Sequence, residues 1–208
     1  MKSKRAEITR NRLDANVPGL LDIAMSTDGR ANANTRGAVV SVLRGMEGAE
    51  ATAALSKILD AERDPEVTTM ALVALSKRGD ELAEPAVRRA AKNDEYQVRR
   101  AVAKALQSVG THDSIPTLVQ LASDEDRGVR IRAVDAFGMV GGGGEVLDAL
   151  SIAVRDETSV VRRCAAEALS SIGGTQALQL LRHQAAKEGF FNRATFKQAI
   201  SAAEERDN

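Results

Sequence analysis

The chain has 208 residues and no formal net charge, because 29 basic residues balance 29 acidic ones. Zero net charge removes the general electrostatic attraction expected of a nucleic-acid binder, although a local basic stripe stays possible. Aromatic residues make up 2% of the chain and Trp is absent, so Ala, Val, Leu and Ile must form its core. The single cysteine, Cys164, excludes an intramolecular disulfide.

Apolar segments of the length that a membrane helix needs, about 18 residues, are absent from the sequence. The basic N-terminus is not followed by the apolar run that is typical of a signal peptide. We therefore expect a cytoplasmic protein that has no membrane partner.

A nine-residue frame recurs along the chain, starting at residues 35, 67, 98, 129, 161 and 192. Its clearest copies are Val98–Leu106 (VRRAVAKAL), Val129–Phe137 (VRIRAVDAF) and Val161–Leu169 (VRRCAAEAL). The period of 31 or 32 residues indicates an array of stacked repeats.

In chain order, residues 1–14 predict a short polar helix that caps the array, or alternatively a basic interaction arm. The remaining residues predict a solenoid, 15–208, of about six repeats. The expected repeats are 15–48, 49–79, 80–110, 111–143, 144–174 and 175–208. The first repeat has the longest internal loop, with a turn expected at Asp28–Gly29.

Each repeat is expected to hold an apolar helix, a short acidic turn, the frame helix and a closing glycine. Pro85 and Pro116 fall in the first turn of their helices, and Asp80 and Asp113 are the expected N-caps. The expected closing glycines, in left-handed conformation, are Gly79, Gly110, Gly141 and Gly173. The run 141–144 is interpreted as a flexible joint rather than a phosphate-binding loop, because no Lys-Ser/Thr follows it.

Frame positions 0, 4, 7 and 8, numbered from zero, lie within about 100° of one another on a helix. In the third copy they are Val98, Val102, Ala105 and Leu106, and the fourth and fifth copies also have apolar residues at these positions. This pattern predicts a buried stripe that one helical hairpin alone cannot cover, so neighbouring repeats must stack.

Frame position 1 is an arginine in every copy except the second, which has Thr68. These arginines are Arg36, Arg99, Arg130, Arg162 and Arg193. Acidic residues recur in the turns just before them, namely Asp64, Glu95, Asp126 and Asp156. The favoured interpretation is a ladder of ion pairs that ties each turn to the next repeat. The alternative is a basic stripe that contacts phosphates.

An acidic turn followed by V-R-x-x-A-x-x-A-L resembles the HEAT-repeat family, in its short-repeat subclass typified by phycobilisome lyase subunits. The resemblance covers residues 15–203. It implies an all-α fold, an α-solenoid of about six HEAT-like hairpins whose second helices line a concave binding surface. Members are mostly scaffolds, and a few contribute to chromophore attachment, DNA-base excision or hydroxylation.

The sequence contains no recognisable group of catalytic or metal-binding residues. His112 and His183 lie far apart, and neither is followed by the glutamate of the His-Glu pairs in metal-binding HEAT hydroxylases. Cys164 falls on a helix flank without a nearby histidine, which favours a small, partly buried residue over a nucleophile. We therefore predict no enzyme, no metal and no cofactor.

Frame positions 2, 6 and 9 face away from the buried stripe, and positions 2 and 6 supply the candidate partner contacts. These are Val73, Arg100, Lys104, Ile131, Asp135 and Arg163. Apolar residues among charges of both signs fit a groove for a protein or peptide, although an ordinary solvated face would look similar. We hypothesise a non-catalytic scaffold or adaptor that binds such a partner. The alternatives are a subunit of a bilin lyase-like or other enzyme complex, and a nucleic-acid binder that uses the repeated arginines.

Overall fold

The computed structural model describes residues 2–13, 16–26, 31–187 and 189–207, in which thirteen α-helices and no strand occur. The all-α prediction is therefore confirmed. Helices α1 to α13 are Lys2–Leu13, Val17–Met25, Ala33–Arg44, Ala49–Ala61, Pro65–Arg78, Glu84–Arg89, Tyr96–Val109, Ile115–Leu121, Arg127–Val140, Gly144–Ala153, Ser159–Ile172, Gly174–Ala185 and Phe190–Asp207. Short 3-10 turns at Glu81–Ala83 and Ala90–Lys92 flank α6, and His112–Ser114 precedes α8.

Helices α2 to α13 pair into six helical hairpins, and the chain divides into two compact units, Met1–Gly110 and Thr111–Asn208. In the first unit the second helices α3, α5 and α7 pack side by side, as do the first helices α2, α4 and α6. In the second unit α9, α11 and α13 form one layer, and α8, α10 and α12 form the other. This stacking confirms an α-solenoid. The boundary between the units follows the expected third repeat, 80–110, and the repeat boundaries themselves stay predictions.

The predicted apolar stripe is buried. Val98, Val102, Ala105 and Leu106 have no exposed surface. The corresponding residues of the next two copies are at most 4% exposed; they are Val129, Ala133, Ala136, Phe137, Val161, Ala165, Ala168 and Leu169. Full burial of one valine or leucine side chain stabilises a fold by roughly 1.5–3 kcal/mol, so the stripe supplies much of the stability.

The helix starts follow the predicted capping chemistry with one exception. The Asp80 side chain accepts a hydrogen bond from the Leu82 amide, and both Pro85 and Pro116 lie in the first turn of their helices, as expected. The prediction for Asp113 is wrong, because Thr111 is the capping residue and its Oγ1 accepts from the Asp113 amide at 3.3 Å.

Three of the four closing glycines adopt the positive φ that favours glycine. Gly79 is left-handed at φ 62°, and Gly141 and Gly173 have φ values of 101° and 71°. The prediction for Gly110 is wrong, because its backbone is extended at φ −69° and leads into the Thr111 cap. Gly142 packs closely against the Ile172 side chain, because a Cβ on this glycine would lie 2.7 Å from Cγ2 of Ile172.

Helix α1 packs against α2 and α3 and buries Ile8, while its role as a cap stays a prediction. The expected turn at Asp28–Gly29 lies outside the described residues. Within the described part of the chain, no helix has both the length and the apolar character needed to cross a membrane.

Candidate interaction surface on the second helices

The first unit carries three of the candidate partner contacts. Arg100 and Lys104 are both exposed and lie one helical turn apart on α7, so they share a face. Val73 lies on the neighbouring α5 and is 36% exposed. The Ser76 hydroxyl on α5 donates to the Ser108 hydroxyl on α7 at 3.3 Å. Val73 and Lys104 are both position 6 of their frames, on these two adjacent helices.

No acidic residue occupies positions 2, 6 or 9 of the three frames in the first unit, where all nine residues are basic or neutral. These residues are Gly37, Thr69, Arg100, Ser41, Val73, Lys104, Arg44, Ser76 and Gln107. Arg44, Arg100 and Lys104 form no ion pair within the described residues. This face therefore presents unneutralised positive charge beside an exposed valine.

The other three candidates, on the second unit, differ from this arrangement. Arg163 is exposed on α11, whereas Ile131 and Asp135 on α9 are partly buried, because α9 packs closely on α11. Arg163 donates to the Glu167 carboxylate at 2.7 Å, which raises the pKa of Arg163. Asp135 lies 3.6 Å from the guanidinium of Arg132. The charges of this face are thus paired within the unit itself.

Cys164 lies beside Asp135 and is only 4% exposed. Burial raises the pKa of the thiol to about 12, and hydrogen bonding to the Asp135 carboxylate adds to the shift. The residue was predicted to be partly buried, and the structure buries it almost completely. A thiol that stays protonated at neutral pH is a poor nucleophile.

The position-1 arginines bind the turn that precedes their own helix. Nη1 of Arg130 donates to the carbonyl of Asp124 at 2.9 Å and of Glu125 at 3.1 Å. Arg99 and Arg162 make the same two contacts with the carbonyls six and five residues before them. Sequence reasoning missed this role, because backbone acceptors leave no side-chain signature.

Arg36 and Arg130 also reach the turn of the following helix pair. Nε and Nη2 of Arg36 donate to the Glu62 carboxylate at 2.6 and 2.8 Å. Arg130 binds the Asp156 carboxylate in the same bidentate way, at 2.8 and 3.2 Å. Both pairs join residues 26 positions apart. Arg193 is exposed in α13.

Two of the acidic residues expected in the ladder are helix caps instead. The Asp64 carboxylate accepts hydrogen bonds from the amides of Glu66 and Val67. Asp126 accepts from the Val129 amide at 3.0 Å. Each lies immediately before its helix, where the free amides attract a carboxylate more effectively than a distant guanidinium does. The residue that pairs with Arg36 is therefore Glu62, two positions earlier than expected.

Both histidines, His112 and His183, are exposed. Within the described residues, no group of three or more His, Cys, Asp or Glu side chains could hold a metal ion.

The sequence matches the family of HEAT repeats in four overlapping stretches, residues 17–107, 53–138, 84–158 and 115–201. Comparison with curated proteins gives no match. Among solved structures, the archaeal HEAT-like repeats protein from Thermococcus onnurineus is 12% identical, with a TM-score of 0.64 over 97% of this chain and 92% of that chain.

Two further structures are similar. A designed armadillo repeat protein in complex with the peptide (KR)4 is 16% identical, with a TM-score of 0.64 over 90% of this chain and 99% of that one. The complex of CpcE and CpcF of phycocyanin lyase from a Nostoc species is 18% identical, with a TM-score of 0.58 over 73% of this chain and 99% of that chain. At such identities the structures show a shared fold, and the sequence match shows the family. The chain belongs to the HEAT-repeat family.

Proposed function

We propose that this HEAT-repeat chain is a non-catalytic scaffold that binds a protein or peptide partner through the exposed face of its second helices. The observation that carries the proposal is the face of the first unit, where Arg100 and Lys104 remain without an ion pair in the described structure beside Val73. Cations next to an apolar point fit an acidic segment that also offers an apolar side chain.

We expect the proposed contacts on the second unit, Ile131, Asp135 and Arg163, to contribute less to the affinity for a partner. Asp135 and Arg163 are engaged with neighbouring side chains, so a partner must compete with the pairs they already form. We expect these residues to affect specificity more than affinity.

Nucleic-acid binding through the position-1 arginines is less well supported. Arg36 and Arg130 direct their guanidinium groups at carboxylates, and Arg99 and Arg162 donate to backbone carbonyls. A phosphate would have to displace these bonds. Binding of a DNA duplex that falls steeply with added salt would support this alternative instead.

Among the residues that the structure describes, no arrangement of side chains supports an enzyme-associated role. The likeness to phycocyanin lyase concerns the fold, which HEAT and armadillo repeats share across unrelated functions. The designed armadillo protein that holds a peptide supports the view that such an array can serve as a peptide-binding surface.

Quantitative affinity capture with three baits tests the proposal: wild type, Lys104→Glu and Lys57→Glu. Lys57 is exposed on the first helix α4, so the control makes the same charge change on the other layer. We expect a partner that wild type and Lys57→Glu capture and Lys104→Glu loses. Equal capture by all three, with unchanged circular dichroism, would refute the proposed surface.

A further inference from the structure

A cavity of about 470 Å³ in the first unit opens between the turn before α5 and the turn before α7. Its lining includes Glu62, Arg63, Thr68, Asp94 and Glu95. Thr68 is the one residue at frame position 1 that is not arginine. The cavity thus lies where the repeat pattern would place a guanidinium.

Arg130 shows what occupies this place in another helix pair. Its guanidinium donates to the carbonyls of Asp124 and Glu125, six and five residues earlier, and to the carboxylate of Asp156, 26 residues later. The side chain therefore closes the space between two successive turns, and it is only 10% exposed.

Thr68 is too short to make these contacts, and its hydroxyl donates to the Asp64 carbonyl at 2.8 Å instead. Counting from residue 68, the equivalent acceptors are the carbonyls of Glu62 and Arg63 and the carboxylate of Asp94. Asp94 is exposed, and its carboxylate forms no ion pair within the described residues. Arg63 Nη1 lies 3.4 Å from the Glu62 carbonyl, at the outer limit of a hydrogen bond.

Other charges line the cavity and set its selectivity. Asp60 is paired with Arg89, and Glu62 is paired with Arg36. Asp94 and Glu95 are therefore the carboxylates available to an incoming cation, with Arg63 and Lys92 also in the lining. Because acidic and basic side chains are nearly balanced in the lining, the cavity attracts a simple ammonium group only weakly. A planar guanidinium can instead use several acceptors at once.

We propose that this cavity binds the guanidinium of an arginine side chain supplied by a partner protein, which takes the place that Arg130 fills from within the chain. The site lies at the turn edge of the first unit, apart from the exposed face of the second helices. It does not depend on the scaffold function proposed above.

Titration of the ¹⁵N-labelled full chain with Nα-acetyl-arginine amide tests this proposal, with the lysine and citrulline analogues as matched probes. Amide shifts are followed at residues 62–68 and 93–96. Thr68→Arg fills the cavity from within, Thr68→Ala leaves it open, and Asp94→Asn removes the carboxylate.

We expect saturable shifts with the arginine probe in wild type and Thr68→Ala, and none in Thr68→Arg. Asp94→Asn should weaken binding about three- to tenfold, since this carboxylate is exposed. Lysine and citrulline analogues should bind more weakly. Three outcomes would overturn the proposal, whether or not Thr68→Arg folds. The arginine probe could give no saturable shifts, the lysine analogue could bind equally well, or Asp94→Asn could leave the affinity unchanged.

Discussion

Nε of Arg36 lies 2.6 Å from Oε2 of Glu62 and ties the second helix of one pair to the turn of the next. The Glu62 side chain is 2% exposed and also accepts from the amides of Arg63 and Asp64, each at 2.9 Å. The carboxylate therefore organises its own turn while it holds the neighbouring helix. Arg130 and Asp156 repeat the relationship in the second unit.

Removal of this guanidinium should destabilise the fold more than removal of an exposed one. Arg36→Ala leaves the buried Glu62 carboxylate without its cation, and we expect a loss of about 1–3 kcal/mol. Arg89→Ala breaks a pair whose side chains are 59% and 41% exposed, so the loss should stay below about 1 kcal/mol. Urea unfolding followed by circular dichroism measures both. Equal losses would contradict a special role for the Arg36–Glu62 pair.

The same pair predicts a pH dependence. Burial raises the pKa of Glu62, but hydrogen bonds from Arg36 and from the amides of Asp64 and Arg63 outweigh burial and hold this pKa below its ordinary value of 4.5. A carboxyl with a lowered folded-state pKa stabilises the fold above its unfolded-state pKa, and that contribution is lost as pH falls through the folded-state value.

Wild type should therefore be more stable than Glu62→Gln at neutral pH, and the difference should shrink as the pH falls below about 4.5. Thermal melts of both proteins from pH 7 to pH 3 test this expectation. A difference that is constant over this range would rule out the carboxylate as its source.

Gly142 and Gly144 offer a matched pair of substitutions in one loop. Gly142→Ala places a methyl group 2.7 Å from Cγ2 of Ile172, and the required shift should cost about 1–3 kcal/mol. A Cβ on Gly144, the first residue of α10, meets no described atom within 4 Å. Gly144→Ala should be neutral or stabilise by up to about 1 kcal/mol. Differential scanning calorimetry compares them, and equal melting temperatures would argue for a loosely packed glycine run.

Cys164 should resist thiol reagents in the folded protein. It is 4% exposed and its pKa is raised to about 12, so both access and thiolate formation are suppressed at pH 8. Ellman's reagent should react slowly with the native chain and rapidly after unfolding in guanidinium chloride. Rapid reaction of the native chain would contradict the burial of this thiol.

The fold was predictable because it depends on repetition. The apolar stripe that includes Val98 and Leu106 recurs with a fixed period. Residues at equivalent positions of successive repeats have similar burial and similar neighbours, so one repeat predicts the next. Gly110 shows where this reasoning stops. It has the same identity and spacing as Gly79, yet the following Thr111 cap draws the chain into an extended conformation.

The ladder was only partly predictable. The position of Arg36 was evident from the frame, but its partner depends on a competition between capping and ion pairing, in which Asp64 is held by backbone amides. Surface contacts were least predictable. Pairing of Arg163 with Glu167 on its own helix reduces its availability to a partner, and this follows from side-chain geometry rather than from sequence position.

The most direct test of the central claim is the affinity of the purified captured partner for wild type, Lys104→Glu and Lys57→Glu, measured by isothermal titration calorimetry at fixed salt. If the second-helix face binds the partner, Lys104→Glu should weaken binding about tenfold while Lys57→Glu leaves it unchanged. Wild-type affinity in Lys104→Glu, or the same loss in Lys57→Glu, would contradict the account.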